Sequence, residues 1–265
     1  MNHEAYHAIS AFYDRVNADI DYGAWADYIE KNIRAYMPTP PGLFLDLACG
    51  TGSMTLTLAD RGYDMIGVDG SADMLQIAQD RARKAGHPEI LYLLQDMRSF
   101  ELYGTVGAVS CCLDSINYLT EDGDLEECFA TVHNYLDPDG LFFFDVNTPY
   151  KFEHVYGDNS YIFDEETEDG RLIYCGWQNY YDSETRLCDF DLTVFSEDVH
   201  GRYHREDESH TERCYTREEL TVALTRCGFE LIAIHGDIDL SPPMPDCERW
   251  YIVARAKKNE FQENK

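Results

Sequence analysis

Residues 43 to 147 alternate between short apolar runs and amphipathic segments, and this rhythm constrains the fold more than any other feature of the chain. Leu43 to Leu47, Tyr63 to Asp69, Ile90 to Leu94, Val106 to Leu113 and Leu141 to Val146 read as strands, being too short for helices and bounded by turn residues. Between them, Ser53 to Arg61 read as a helix ended by Gly62. Ser71 caps a second helix, with Leu75, Ala78, Ala82 and Ala85 on one face and Gly86 beyond it. Leu125, Phe129, Val132 and Leu136 mark a third. Such alternation implies an α/β fold, a parallel sheet with helices on both faces.

The flanks differ. Tyr22, Trp25, Ile29, Ile33 and Tyr36 recur at helical spacing until Pro38, Pro40 and Pro41 stop the pattern. After Pro149 the chain reads as an antiparallel β-meander, with strands at Tyr161 to Phe163, Arg171 to Tyr181, Arg186 to Ser196 and Arg202 to Cys214. Asp169-Gly170, His200-Gly201 and the polar run Asp182 to Thr185 supply the turns. Thr216 and Glu219 make a capping box for a helix to Cys227. Phe229 to His235 and Trp250 to Ala256 then bring the main sheet to seven strands. The expected organisation is a core of residues 1–149, an insertion of 150–214 and a return to the core in 215–265.

Fifty acidic residues against 21 basic ones give a formal net charge of -29. Such a surface repels phosphate backbones, so a nucleic-acid partner is disfavoured. Nine cysteines without C-x-x-C spacing read as reduced thiols of a cytoplasmic protein, and adjacent Cys111 and Cys112 as core. Neither a membrane span nor a signal peptide is expected. His204, His210 and Cys214 have poor spacing for zinc, and residues 164–169 lack a calcium loop, so no metal is expected.

The turn after the first strand carries the chemistry. In LDLACGTGS, residues 45–53, Gly50 and Gly52 let a ligand approach the main chain at a helix N-terminus. Asp69 ends the second strand, where an acid can hold ribose hydroxyls. Thr55 replaces the third small residue of a dinucleotide loop, so room for a pyrophosphate is not evident. Asp46 aims a carboxylate at the loop, which suits an ammonium better than a phosphate.

These features resemble the class I S-adenosylmethionine-dependent methyltransferases. LDLACGTGS is similar to their first motif, GVDGSADML (67–75) to the second, and QDMRSF (95–100) to the third. CCLDSINYL (111–119) and PDGLFFFDVN (138–147) resemble the segments flanking the methionine moiety and the acceptor. More narrowly, the chain resembles uncharacterised bacterial members with an antiparallel insertion after the fifth strand. The resemblance implies a Rossmann-like seven-stranded sheet and S-adenosylmethionine as cofactor, with S-adenosylhomocysteine as product. It assigns cofactor contacts to Asp46, Ala48, Gly50, Gly52, Asp69, Gly70, Met74, Asp96, Met97, Leu113 and Asp114. Residues 11–25 resemble a cap whose lining would be Tyr13, Tyr22 and Trp25, although Tyr22 and Trp25 equally suit helix packing.

Asp114, Asn147 and His235 fall at C-terminal strand ends, where ligands of open α/β sheets bind. Asn147 cannot act as a base, and His235 reads more readily as structural. The aromatics Tyr174, Trp177, Tyr180, Tyr181, Phe190 and Phe195 suggest that the insertion is a lid over a small-molecule acceptor, methylated on nitrogen or oxygen. Their alternatives are packing onto the core and a homodimer surface. A tRNA or protein methyltransferase, a non-catalytic cofactor-binding regulator and, more remotely, a nicotinamide dehydrogenase stay open.

Overall fold

A computed structural model describes residues 20–167 and 170–258. Helix α1 (Tyr22–Tyr36) starts where the Asp21 carboxylate accepts from the Ala24 N–H. It ends at Met37, whose extended backbone is what the following Pro38 favours. Trp25, Tyr28, Ile29 and Ile33 form its buried stripe.

Seven strands make the main sheet: β1 (Leu43–Leu47), β2 (Asp64–Asp69), β3 (Leu91–Leu94), β4 (Val106–Cys111), β5 (Leu136–Asn147), β10 (Phe229–His235) and β11 (Arg249–Ala256). Their order is β10-β11-β5-β4-β1-β2-β3. Only β11 runs against its neighbours in this sheet. Strand β4 is buried along its whole length, as a central parallel strand covered on both faces must be. One face packs on α1 and α2 (Ser53–Asp60), through Ile29, Leu58, Phe44 and Phe143. The other packs on α4 (Asp124–Tyr135) and α5 (Arg217–Arg226), through Phe129, Val132, Leu220 and Phe142. Helix α3 (Ala72–Ala85) follows β2 and is capped by Ser71, as its sequence requires.

From β1 the chain moves outward to β2 and β3, whereas β4 leads the opposite way to β5. The crevice between the C-terminal ends of β1 and β4 is therefore the topological switch point, the usual ligand position in such sheets.

Two of the boundaries that differ from the sequence expectation shape the centre of the main sheet. Strand β4 stops at Cys111 rather than Leu113, because Leu113 and Asp114 take left-handed backbone angles of φ 61° and 55°. Both N–H groups donate to the Asp145 carboxylate on β5, at 2.7 and 2.9 Å, which holds this costly turn in place. Strand β5 begins at Leu136, because Val106 pairs with Leu136 before the register shifts at the Asp139-Gly140 turn.

The insertion is a separate four-stranded antiparallel sheet: β6 (Ser160–Glu166), β7 (Leu172–Asp182), β8 (Leu187–Glu197) and β9 (Tyr203–Arg213). A single π-helical turn, Lys151–Tyr156, links it to β5 and lends Phe152 to its small core of Cys175, Cys188, Phe190, Leu192 and Val194. The six aromatics of the lid expectation do not share a face. Trp177, Tyr181 and Phe190 point inward with that core, whereas Tyr174, Tyr180 and Phe195 lie on the outer face. Side chains alternate strictly along a strand, and these residues differ in parity relative to the register.

Candidate active site

The switch-point cleft is lined by Tyr22, Asp46, Ala48, Gly50, Leu113 and Ser115, among others. Its floor is built locally. Asp46, near the end of β1, is 2% exposed and accepts from the Thr55 hydroxyl at 2.6 Å and the Ser110 hydroxyl at 2.9 Å. Burial pushes its carboxyl up to about 6, against the lowering effect of those two donors. Thr55, the residue that departs from a dinucleotide loop, is thus a ligand of Asp46 inside the first turn of α2.

The two glycines have different reasons to be glycine. Gly50 has φ 54°, and a Cβ built on it meets no atom of the described residues within 4 Å, so its surface is open. Gly52 has φ 78°, and a Cβ there would sit 2.8 Å from the Tyr92 hydroxyl and 3.1 Å from the Ala78 methyl. It lets α2 close against β3 and α3.

Asp69 ties the turns together, accepting the Gly50 N–H and the Ser71 N–H at 2.8 Å each. Each carboxylate oxygen has a second lone pair for a ligand. Asp96, beyond β3, receives Nε and Nη2 of Arg98 at 2.9 and 2.6 Å, and that guanidinium holds its carboxyl down at about 2. Three carboxylates thus stand along the C-terminal edge, at or just beyond the ends of β1, β2 and β3.

At the end of β5 a second polar assembly forms from distant parts of the chain. Arg249 of β11 bridges Asp114, at 2.9 Å, and Asp145. The Asn147 amide nitrogen faces Asp114 Oδ2 at 3.0 Å, Glu212 Oε2 at 2.9 Å and the Tyr156 hydroxyl at 3.2 Å. Its oxygen accepts from Lys151 Nζ at 3.0 Å. Lys151 also lies 4.9 Å from the centre of the Tyr156 ring. Burial drives the Glu212 carboxyl well above its usual range, reinforced by Asp114. Burial and the Arg249 charge lower the Lys151 ammonium. Glu212 belongs to β9, so the insertion contributes directly to this assembly.

Residues 44–140 match the family described as Methyltransferase domain. The Bacillus subtilis protein named "Putative methyltransferase YqeM" is 33% identical, over 96% of this chain and 98% of that one. A crystal structure of an S-adenosylmethionine-dependent methyltransferase from Clostridium acetobutylicum is 28% identical, with a TM-score of 0.84, and the match covers 96% of this chain and 99% of that one. The chain belongs to the S-adenosylmethionine-dependent methyltransferases. A further relative of the methyltransferase, 28% identical over 86% of each chain, is the dTDP-3-amino-3,6-dideoxy-alpha-D-glucopyranose N,N-dimethyltransferase of Streptomyces fradiae.

In this methyltransferase the residues singled out from sequence fall into four groups. Asp46, Ala48, Gly50 and Leu113 line the cleft, and Asp69 and Gly70 close the turn after β2. The Met74 side chain is buried behind the Ser71 cap, and the Met97 side chain packs in the main core. Asp114 and Asn147 meet in the second assembly. His235 does not join them. It sits 3.1 Å from the Tyr28 hydroxyl and 5.6 Å, ring to ring, from the same tyrosine, and burial lowers its basicity. Tyr13 lies outside the described residues, while Trp25 packs on Tyr251 and Tyr22 reaches the cleft. His204 is exposed beside Asp198, His210 is buried beside Glu208, and Cys214 packs in the insertion core.

Sequence reasoning missed Asp145, Lys151, Tyr156, Glu212 and Arg249. A signal existed for one of them: Asp145 interrupts the otherwise apolar run LFFFDV, and a carboxylate in a buried strand requires a partner.

Proposed function

We propose that the enzyme moves the methyl group of S-adenosylmethionine onto a nitrogen of a small molecule held between the end of β5 and the insertion. The observation that carries the cofactor half is the row of carboxylates Asp46, Asp69 and Asp96 beside the open backbone of Gly50. The cofactor's ammonium, ribose diol and adenine amine are all donors, whereas a pyrophosphate would face these charges with like charge. Asp46 would hold the ammonium, Asp69 the diol and Asp96 the adenine amine. Ala48, Gly50 and Leu113 would shape the methionine path, and the Met97 backbone would meet the adenine edge. Gly52, Gly70 and Met74 would support these turns from behind.

When bound, the cofactor supplies an electrophilic methyl on a sulfonium. The protein's task is to orient the acceptor in line with the carbon–sulfur bond and to exclude water. With the cofactor held by Asp46, Asp69 and Asp96, attack by a nitrogen lone pair on that methyl would return the electrons of the broken bond to sulfur and leave S-adenosylhomocysteine. An ammonium acceptor must first lose a proton, which the ionisable assembly beside Asn147 is suited to receive. The amine choice is supported by that assembly and by the amino-sugar acceptor in the Streptomyces relative's name.

The test is release of S-adenosylhomocysteine from S-adenosylmethionine with a panel of amino sugars and their hydroxyl counterparts. Turnover confined to amines is the expected result. Methylation of tRNA or protein, or tight cofactor binding without turnover on any acceptor class, would overturn this reading.

A further inference from the structure

The assembly at the end of β5 does not balance its own charge. Asp114, Asp145 and Glu212 are carboxylates, and only Lys151 and Arg249 are cations. Arg249 serves both aspartates, and Lys151 is directed to the neutral oxygen of Asn147. That leaves Glu212 as the odd group. It is 4% exposed, accepts from Asn147 at 2.9 Å and makes no ion pair among the described residues. An ionised carboxyl so placed is costly until it gains a proton or a cation. The charged groups around it are Asp114, Lys151 and Arg249, with the neutral Tyr156 hydroxyl and Cys188 thiol beside them, and Glu248 adds a further negative influence on Lys151.

The assembly also has an open side. The Asp114 and Arg249 side chains keep 18% and 19% of their surface exposed. Leu113 and Ser115, on either side of Asp114, line the switch-point cleft. The excess negative charge is therefore buried at Glu212 and linked to the cleft through Asn147 and Asp114.

We propose that Glu212, carried in by the insertion, is a positioning residue that makes the acceptor site selective for a cationic amine. It supplies the negative charge that an ammonium neutralises, acting through Asn147 and Asp114. The inference rests on the amine reading above and deepens it, because it names the charge state recognised and the residue responsible. Without a ligand, Glu212 meets the imbalance by holding a proton. With an ammonium beside Asp114, that proton passes to solvent and the ammonium takes over its charge, so the network stays neutral.

The test uses two cofactor analogues, so the natural acceptor is not required. S-adenosylhomocysteine has a neutral sulfur, whereas in sinefungin a carbon bearing an amino group replaces the methylsulfonium. Sinefungin thus presents an ammonium where the transferred methyl would face the acceptor. Calorimetry of the wild-type protein should show sinefungin binding at least about tenfold more tightly than S-adenosylhomocysteine. Glu212→Gln should lower that preference by about fivefold or more while leaving S-adenosylhomocysteine affinity within about twofold. Glu212→Asp should restore part of the preference. In the wild type the preference should rise with pH as Glu212 ionises, and in Glu212→Gln this rise should vanish. An unchanged preference in Glu212→Gln, with both analogues still bound, would overturn the inference and leave the cofactor reading intact. If neither analogue bound the wild-type protein, the cofactor reading would fail first and this one with it.

Discussion

The proposed cofactor end and the proposed acceptor end of the cleft are built on different scales of chain separation. At the cofactor end, Asp46 is held by Thr55 nine residues on, and Gly50 by Asp69 nineteen residues on. At the acceptor end, Asn147 meets Glu212 across 65 residues, Arg249 meets Asp145 across 104 and Asp114 across 135. A strand–turn–helix unit encodes most of the first site in a few contiguous residues. The second exists only once β4, β5, β11 and the insertion have come together. The cofactor end can therefore be carried as a module, while the acceptor end depends on the whole fold.

If that contrast is right, the largest stability effect belongs to the acceptor end. Arg249→Met leaves the buried Asp145 and the partly buried Asp114 without their cation, and such a loss typically costs about 3–5 kcal/mol. Urea unfolding should show this destabilisation. A loss below about 1 kcal/mol would mean that the carboxylates find other partners and the assembly is looser than its geometry suggests.

Asp46 gives the next effect, at the cofactor end. Burial pushes its carboxyl up to about 6, above the usual aspartate value of about 3.9, and so favours the protonated form. The associated stability is fully present below about pH 4 and is lost as pH rises through about 6, a change of about 3 kcal/mol. Asp46→Asn should abolish that slope. The cofactor ammonium needs the ionised form, so S-adenosylmethionine affinity should fall as pH drops below about 6. A pH-independent affinity between about pH 4.5 and 7.5 would remove Asp46 from the ammonium role.

The glycines sharpen the comparison within one loop. Gly52→Ala adds a clash with Tyr92 and Ala78 to left-handed strain and should cost about 2–4 kcal/mol. Gly50→Ala incurs only the strain, about 1–2 kcal/mol, because its Cβ enters open space, yet it should weaken cofactor binding more than its stability loss implies. Thermal melts and calorimetry on both variants would reveal the reverse order if the roles are exchanged. The smallest effect is expected on the outer face of the insertion. Asp189→Asn disturbs an exposed bond to Thr211 at 2.6 Å and should change stability by less than about 0.5 kcal/mol.

The same contrast explains what the sequence made legible. Strand and helix positions, the Ser71 cap and the Thr216–Glu219 capping box follow from periodicity and local donors, and each is present in the structure. The local contacts of Asp46, Gly50 and Asp69 lie within a short stretch of sequence, so these residues could be singled out from spacing alone. Glu212 and Lys151 look like ordinary surface charges in the sequence, and Arg249 like a strand-edge cation. Lys151 stands four residues from Asn147, but nothing within ten residues of Glu212 or Arg249 announces the shared assembly, since the register of β11 on β5 and the docking of β9 create it. The split of the insertion aromatics was hidden for the same reason, because face depends on register.

Calorimetric affinity for S-adenosylhomocysteine in two variants tests the central claim, that cofactor and acceptor ends are separable, most directly. Asp69→Ala removes the carboxylate assigned to the ribose diol and should weaken binding by about tenfold to a thousandfold. Glu212→Gln, at the other end of the cleft, should leave it within about twofold. Unchanged affinity in a folded Asp69→Ala protein, or a comparable loss in both variants, would contradict the account.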